Sequence, residues 1–185
     1  MPSNVEIKAR IADPTRLRAA VEDSSDTPPQ VLVHEDTFFN VSSGCLKLRT
    51  FGDGRGELIF YQRPDTAGPK PCLYSIAPVA DPMALKAVLS QALGIRAVVR
   101  KRRTLYMLGQ TRIHLDEVDG LGDFLELEVV LRDAQTAAEG TRIVEDLLVR
   151  LGIPRDALID CAYVDLLERA TGENVAARPP QGTSL

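Results

Sequence analysis

The chain has 185 residues, of which 44% are hydrophobic and 26% charged, which is typical of one soluble globular domain. Its 22 Lys and Arg residues against 26 Asp and Glu give a net charge of −4, so we expect no binding of nucleic acid through bulk positive charge. The sequence shows no apolar run typical of a membrane-spanning helix or a signal peptide, and its three cysteines match neither a zinc site nor a disulfide framework. These features predict a cytoplasmic protein that makes no contact with a membrane.

Two segments with the sequence Ala-Asp-Pro predict helix starts, at Asp13-Pro14 and at Asp81-Pro82. Asp is a good N-cap because its carboxylate accepts a hydrogen bond from an unpaired N–H of the first turn. Proline suits the next position because it has no N–H to lose there. Each pair follows a strand-like run and precedes apolar residues at helical spacing, which indicates an approximate internal duplication.

Strand-like runs follow both predicted helices. They cover residues 30–40, 45–51, 57–63 and 73–79 after the first helix, and 97–108, 111–118 and 124–131 after the second.

The C-terminal part of the sequence predicts two helices, over 134–151 and 155–170, separated by Gly152-Ile153-Pro154. We interpret residues 1–172 as one domain. The remaining segment, 173–185, contains two prolines and a glycine and predicts a disordered tail.

Charged and apolar residues alternate along several of these strands, so each strand presents one charged face. The run from Arg100 to Arg103 is charged on both faces, which leaves its orientation open. The charged faces carry Glu6 and Lys8, Lys47 and Arg49, Lys101 and Arg103, then Arg112, His114 and Asp116, and finally Glu126 and Glu128.

Two interpretations of this alternation are open. An antiparallel sheet with one solvated, salt-bridged face is the common one. Here, however, the middle strands are basic and the last strand presents glutamates, whereas a solvated face usually mixes both signs within a strand. Basic strands that face carboxylates can neutralise phosphate oxygens, and Glu carboxylates can hold the accompanying Mg²⁺ or Mn²⁺. We therefore favour a site for a polyanion and a divalent cation.

Several short motifs occur in a fixed order along the chain. They are Asn4-Val5-Glu6-Ile7-Lys8, Asp36-Thr37-Phe38-Phe39, Leu46-Lys47-Leu48-Arg49, Lys101-Arg102-Arg103, Ile113-His114-Leu115-Asp116 and the run from Gly120 to Glu128. In this order they resemble the CYTH superfamily, the triphosphate tunnel metalloenzymes, over residues 3–170. The resemblance implies an α+β fold in which a closed eight-stranded antiparallel β-barrel with flanking helices encloses a charged tunnel. It also implies metal-dependent chemistry on a triphosphate, as in class IV adenylate cyclases, inorganic triphosphatases and thiamine triphosphatases.

The resemblance also implies roles for individual residues. The cofactor would be Mg²⁺ or Mn²⁺, and the partner a small molecule that contains a triphosphate, bound by a monomer or a homodimer. The catalytic residues would be Glu6, Lys8, Glu126 and Glu128. The metal ligands would be Glu6, Glu126 and Glu128, with Asp116. The phosphate-binding residues would be Lys8, Lys47, Arg49, Lys101 and Arg103, joined by Arg63 and Arg112.

The sequence departs from the family pattern at Asn4, which stands at the first acidic position, at Gln62, and in the strand over 73–79, which lacks an acidic run. Three functions therefore stay open: hydrolysis of a triphosphate, cyclisation of ATP, and binding without turnover. We favour hydrolysis because it needs only an ordered water, and no base-reading pocket is visible in the sequence. His114 shares the charged face, and we interpret it as a polar lining residue, with a contact to substrate or a carboxylate as the alternative.

Overall fold

Eight antiparallel strands close into a barrel, and four helices lie around it. The computed structural model describes residues 3–62 and 68–176. The strands are β1 (Ser3–Arg10), β2 (Gln30–Phe39), β3 (Cys45–Phe51), β4 (Gly56–Gln62), β5 (Lys70–Val79), β6 (Ile95–Leu108), β7 (Thr111–Val118), β8 (Gly122–Val130) and a short β9 (Leu158–Ile159). The helices are α1 (Pro14–Ser24), α2 (Pro82–Leu93), α3 (Ala137–Leu151) and α4 (Tyr163–Ala176).

The barrel closes through β1. The strand order is β5-β4-β3-β2-β6-β7-β8-β1, and β1 pairs back to β5 with Asn4 opposite Cys72. Along its other edge β1 pairs with β8, where Glu6 lies opposite Glu128 and Lys8 opposite Glu126. The predicted α+β fold with a closed eight-stranded barrel is therefore confirmed.

The two Ala-Asp-Pro segments form the helix starts that the sequence predicts. The side chain of Asp13 accepts a hydrogen bond from the N–H of Arg16 at 3.0 Å, at the start of α1. The side chain of Asp81 accepts one from the N–H of Ala84 at 2.9 Å, at the start of α2. Both helices thus begin with one of their unpaired donors satisfied.

The predicted helix over 155–170 is wrong in its first half. Arg155–Ala157 forms a 3₁₀ turn, and Leu158–Ile159 then pairs as β9 with Lys8 and Ala9 of β1. That part of the β1 edge is not covered by β5, so its backbone groups need another partner, and tertiary pairing overrides helical periodicity.

The fourth helix begins only at Tyr163, after the N–H of Ala162 donates to the carboxylate of Asp165 at 2.8 Å. It continues past Gly172 to Ala176, so the first residues of the predicted tail are helical. Residues 177–185 lie outside the described residues, as does Arg63.

The main hydrophobic core lies outside the barrel. The outward faces of β1, β7 and β8 pack against α1 and α3, and Val21, Val144 and Leu127 are fully buried there. A Cβ on Gly140 of α3 would lie 2.7 Å from a side-chain atom of Val5, so this helix rests directly on the barrel wall. Burial of each large aliphatic side chain contributes roughly 1.5–3 kcal/mol, which makes this layer the main source of stability.

A second apolar cluster closes one end of the barrel. Tyr163 and Val164 at the start of α4 pack against Phe38, Val99 and Phe124 of the barrel strands. Ala162 and Tyr163 also line the central cavity. The fourth helix therefore plugs one end of the tunnel. Within the described residues, no helix is both long and apolar enough to span a membrane.

Candidate functional site

The barrel encloses a cavity of about 420 Å³ whose wall is largely charged. Seven of the barrel strands, β1 to β4 and β6 to β8, contribute at least one described charged side chain to it, because alternate residues of each strand point inward. Together with Asp116, which pairs with Arg103, the described residues of this interior carry six basic and six acidic side chains. They are Lys8, Lys47, Arg49, Lys101, Arg103 and Arg112 against Glu6, Asp36, Glu57, Asp116, Glu126 and Glu128.

The run from Arg100 to Arg103, which is charged on both faces, belongs to β6, and the structure shows which face points into the barrel. Lys101 and Arg103 point into the barrel and are 5% exposed, whereas Arg100 and Arg102 lie on the outside and are exposed. The charged face thus belongs to an enclosed cavity and not to an open, solvated sheet.

Three carboxylates converge on one side of this cavity. Each of Glu6, Glu126 and Glu128 offers an oxygen that lies within 4.8 Å of the other two. The side-chain oxygen of Asn4, also on the inward face of β1, is buried and has no hydrogen-bond partner among the described residues. Clustered buried carboxylates repel one another unless a cation lies between them, and oxygen donors are the ligands that hard divalent cations prefer. These residues therefore fit a divalent cation.

Glu126 pairs with two cations of the basic wall. Its carboxylate lies 3.1 Å from the Lys8 ammonium and accepts a short hydrogen bond from Arg103. Burial alone raises the pKa of the Glu126 carboxyl, but the charges of Lys8 and Arg103 outweigh it and hold the pKa well below its usual range. Glu126 therefore carries a negative charge at neutral pH and links the carboxylate group to the basic wall.

Asp36 holds a second group of cations in place. It accepts hydrogen bonds from Lys47 at 3.0 Å and from Arg49 at 2.7 and 2.9 Å, and it is 1% exposed. The Lys101 ammonium lies 3.8 Å from the same carboxylate. Burial raises the pKa of the Asp36 carboxyl, but the nearby Arg49 and Lys47 charges outweigh burial and hold the pKa well below its usual range. This buried anion fixes the side chains that point across the tunnel.

Asp116 is positioned differently from the other predicted metal ligands. Both of its oxygens accept hydrogen bonds from Arg103 at 2.6 Å, and the Tyr163 hydroxyl donates to it at 2.9 Å. The structure does not bring Asp116 into the group formed by Glu6, Glu126 and Glu128.

Tyr163 forms the floor of the cavity at the plugged end. The Lys8 ammonium lies 4.3 Å and the Lys101 ammonium 4.9 Å from the centre of its ring, so two lysines contact one aromatic ring. Burial and the neighbouring Arg103 charge lower the pKa of Lys101 to about 7. Its charge therefore responds to what enters the tunnel near neutral pH.

The remaining predicted residues fall into two groups. Arg112 lies on the wall, with its guanidinium 3.5 Å from Glu128, and joins the site as expected. Arg63 lies outside the described residues. No role was predicted for Asp36, although it belongs to the motif Asp36-Thr37-Phe38-Phe39, and none for Tyr163, whose position depends on how α4 meets the barrel.

Two buried histidines differ in their surroundings. His114 lines the cavity and its Nε2 lies 3.4 Å from an oxygen of Glu128. His34, on β2, lies near Arg49, Lys101 and Arg103; burial first, and then the Arg49 charge, lower its pKa to about 2. His34 is therefore neutral at physiological pH.

The model of one protein family, the CYTH domain, matches residues 3–163. The chain belongs to the CYTH family. This confirms the resemblance inferred from the motifs, and the match spans all eight strands of the CYTH barrel.

Similar proteins share this fold. The chain is 25% identical to adenylate cyclase CyaB of Aeromonas hydrophila over 178 residues, which cover 90% of this chain and 89% of that protein. A protein from Pyrococcus horikoshii OT3 superposes with a TM-score of 0.79 at 22% identity, covering 88% of this chain and 98% of the other. A Hippeastrum protein, described as an adenylyl cyclase candidate with a dominant triphosphatase activity, superposes with a TM-score of 0.61 at 16% identity, covering 91% and 96%.

Proposed function

We propose that this CYTH protein is a divalent-metal-dependent enzyme that hydrolyses an inorganic or organic triphosphate inside the barrel. The family includes adenylate cyclases and triphosphatases and is generally dependent on divalent metals. The observation that carries the proposal is the arrangement of the cavity, in which the three-glutamate group lies beside a set of buried cations.

The glutamate group would hold the metal. Glu6, Glu126 and Glu128 supply carboxylate oxygens, and Asn4 can add an uncharged one. When bound, Mg²⁺ or Mn²⁺ neutralises phosphate oxygens and acts as a Lewis acid. In this assignment Asp116 is a structural anion, because Arg103 and Tyr163 already occupy its oxygens.

The basic wall would bind the phosphate chain. Lys8 and Arg103 lie against Glu126, and Lys47 and Arg49 are held by Asp36, so these four cations are positioned before a ligand arrives. The transition state of phosphoryl transfer spreads charge over the phosphate oxygens. Cations that are already fixed in place stabilise that charge without having to reorganise.

Among the described residues of the interior, six acidic side chains stand against six basic ones, which favours a substrate that enters with its metal. A bare triphosphate would leave the interior with several uncompensated negative charges. A triphosphate that carries divalent cations adds much less net charge, and buried net charge is costly. Charge balance therefore supports metal-dependent binding.

Cyclisation of ATP to cyclic AMP and pyrophosphate is the second candidate. Leu32, Phe51 and Leu105 line the same cavity and lie, along their strands, away from the residues that pack on Tyr163. Apolar side chains at that end could contact a nucleotide base. Similarity to adenylate cyclase CyaB also favours this candidate.

A substrate panel tests the proposal. Purified protein would be incubated with tripolyphosphate, ATP or thiamine triphosphate, each with Mg²⁺, with Mn²⁺ or with a chelator, and both phosphate and cyclic AMP would be measured. We expect metal-dependent phosphate release from at least one substrate. Cyclic AMP as the main product would establish the second candidate instead. Micromolar binding of a triphosphate without any product would show a binding module and overturn both.

A further inference from the structure

Tyr163 contacts both cations and an anion at the floor of the tunnel. Its hydroxyl donates to Asp116 at 2.9 Å. The Lys8 and Lys101 ammonium groups lie over its ring, 4.3 Å and 4.9 Å from the ring centre. Burial and the Asp116 charge raise the pKa of Tyr163 well above its usual range, so the hydroxyl stays uncharged. Tyr163 therefore adds no charge to the site and acts through the charged groups that it contacts.

These contacts belong to a closed loop of side chains. The Asp116 carboxylate accepts two hydrogen bonds from Arg103, which also donates to Glu126. The Glu126 carboxylate lies 3.1 Å from the Lys8 ammonium, which lies over the Tyr163 ring. The loop thus returns to the residue at which it began. Because it joins the three-glutamate group to the basic wall, a displacement of Tyr163 would reach both.

Tyr163 is itself fixed by contacts outside this loop. Its ring packs against the fully buried Phe124, with the ring centroids 4.9 Å apart. Arg96 of β6 donates to Asp165 at 2.6 Å and to Glu168 at 2.8 Å, which ties the helix that begins with Tyr163 to the barrel. A lysine side chain is flexible, so a ring held in this way can restrict where an ammonium group lies.

The ring supports these lysines without neutralising them. Burial lowers the pKa of Lys101 to about 7, because desolvation disfavours its charged form. The negative face of an aromatic ring attracts an ammonium group and offsets part of that cost. A carboxylate in the same place would cancel a lysine charge, whereas the ring leaves the charges of Lys8 and Lys101 available to phosphate oxygens.

We propose that Tyr163 is a positioning residue with two separable parts. Its ring holds the Lys8 and Lys101 ammonium groups where they bind the phosphate chain. Its hydroxyl holds Asp116, and through it Arg103, in the orientation that turnover requires. The inference rests on the proposed function, since it concerns the same reaction. The ring should therefore act on binding and the hydroxyl on the rate.

A series of fluorinated phenylalanines in place of Tyr163 tests the ring. Each fluorine withdraws electron density from the ring face and weakens its attraction for a cation. Calorimetry would measure the affinity for bis(methylene)triphosphate with Mg²⁺, since the P–C bonds of this analogue resist hydrolysis. We expect Tyr163→Phe to bind within about twofold of the wild type, and the affinity to fall stepwise by about tenfold in total with one, two and three fluorines. Affinity that does not depend on fluorination would overturn the role of the ring.

Steady-state kinetics of Tyr163→Phe test the hydroxyl, with Tyr106→Phe as the matched control. Tyr106 is fully buried in the outer core and its hydroxyl donates to Glu22 at 2.9 Å, so the control also removes a hydrogen bond between a tyrosine and a carboxylate. With the triphosphate that the wild type turns over fastest, we expect kcat of Tyr163→Phe to fall about tenfold or more while KM changes less than about twofold, because the misaligned Arg103 still attracts the substrate. The control should keep both values. Equal changes in the two variants would show a merely structural role and overturn the inference.

The outcomes separate this inference from the proposed function. A wild-type protein that binds the analogue in a fluorination-dependent way but turns over no triphosphate would overturn the proposed function and the role of the hydroxyl, and leave the role of the ring intact. Turnover by the wild type that responds to neither substitution would overturn the inference alone. Failure of the wild type to bind the analogue would overturn both.

Discussion

The two faces of the barrel wall have opposite chemistry. On β8, Leu127 points outward and is fully buried against the helices, while its neighbours Glu126 and Glu128 point into the tunnel. On β1, Ile7 packs outward between Glu6 and Lys8 in the same way. The main hydrophobic core thus lies outside the barrel, between the barrel wall and helices α1 and α3. The charged side chains therefore occupy the enclosed space. Residues that stabilise the fold and residues of the candidate site alternate along the same strands, on opposite faces of the barrel wall.

This comparison suggests different consequences of substitution on the two faces. Outward residues stabilise the fold by burying apolar surface, and their truncation leaves a cavity. Inward charges are expensive to desolvate, and a buried ion pair contributes little net stability, but removal of one partner leaves the other charge unpaired. Inward substitutions should therefore alter activity and stability together, whereas outward ones should alter stability alone.

The largest effect is expected for Arg103→Met. Arg103 donates to both Asp116 and Glu126, so its removal leaves Asp116 without its main partner and Glu126 with Lys8 alone of its two paired cations. We expect a loss of about 3–5 kcal/mol in the free energy of unfolding, measured by urea denaturation, together with loss of triphosphate binding. The matched control is Arg102→Met, an exposed side chain of the same strand, which should change stability by less than about 0.5 kcal/mol. Equal effects of the two substitutions would contradict the assignment of inner and outer faces.

Leu127→Ala tests the outer face at nearly the same place. Because Leu127 is fully buried in the outer core, we expect a loss of about 2–5 kcal/mol in the free energy of unfolding. Turnover per folded molecule should stay unchanged at a temperature where the variant is fully folded, since the adjacent glutamates keep their positions. A fall in kcat without unfolding would show that the two faces are more strongly coupled than the structure indicates.

Protonation of Lys101 gives a smaller effect, visible in the pH dependence of binding. Burial and the Arg103 charge lower the pKa of Lys101 to about 7, whereas the pKa of a lysine in the unfolded chain is about 10.4. Between these values the unfolded chain binds more protons, so this group makes the fold more stable as the pH rises through that window. An anionic ligand reverses the shift, because it favours the charged form of Lys101.

We therefore expect triphosphate binding at about pH 8 to take up protons, and affinity to weaken as the pH rises above about 7. Calorimetry in two buffers of different ionisation enthalpy measures the uptake. The Lys101→Met variant should lose it, whereas Lys86→Met, which removes a lysine of α2 that pairs with Glu35, should keep it. Uptake that persists in Lys101→Met would assign the proton to another group.

Much of the fold could be predicted because the alternation of charged and apolar residues along a strand is visible in the local sequence. The inward positions of Glu6, Lys47 and Glu126 follow from the period of two residues, and the structure brings them to one cavity. The orientation of β6 could not be predicted, since both of its faces are charged and only its pairing with β2 and β7 decides between them. The closure of the barrel was predicted only through the family resemblance, which rests on the order of the motifs.

The parts of the site that were missed depend on tertiary contacts. Tyr163 reaches Asp116 only because the segment before it pairs with β1 as β9, and no local pattern predicts that pairing. The role of Asp36 arises from its register with Arg49 and the reach of Lys47, both on the neighbouring strand. The sequence thus indicated which residues face the tunnel, but not which of them hold one another.

The most direct test of the account is metal-dependent turnover by Glu128→Gln beside Glu117→Gln. Glu128 lies in the inward three-carboxylate group, whereas Glu117 is an exposed carboxylate on the outside of β7. With the triphosphate that the wild type turns over fastest, and with folding checked by circular dichroism, the account predicts that Glu128→Gln loses turnover and metal binding while Glu117→Gln retains both. Full metal-dependent turnover by a folded Glu128→Gln would contradict the claim that the interior of the barrel is the metal and triphosphate site.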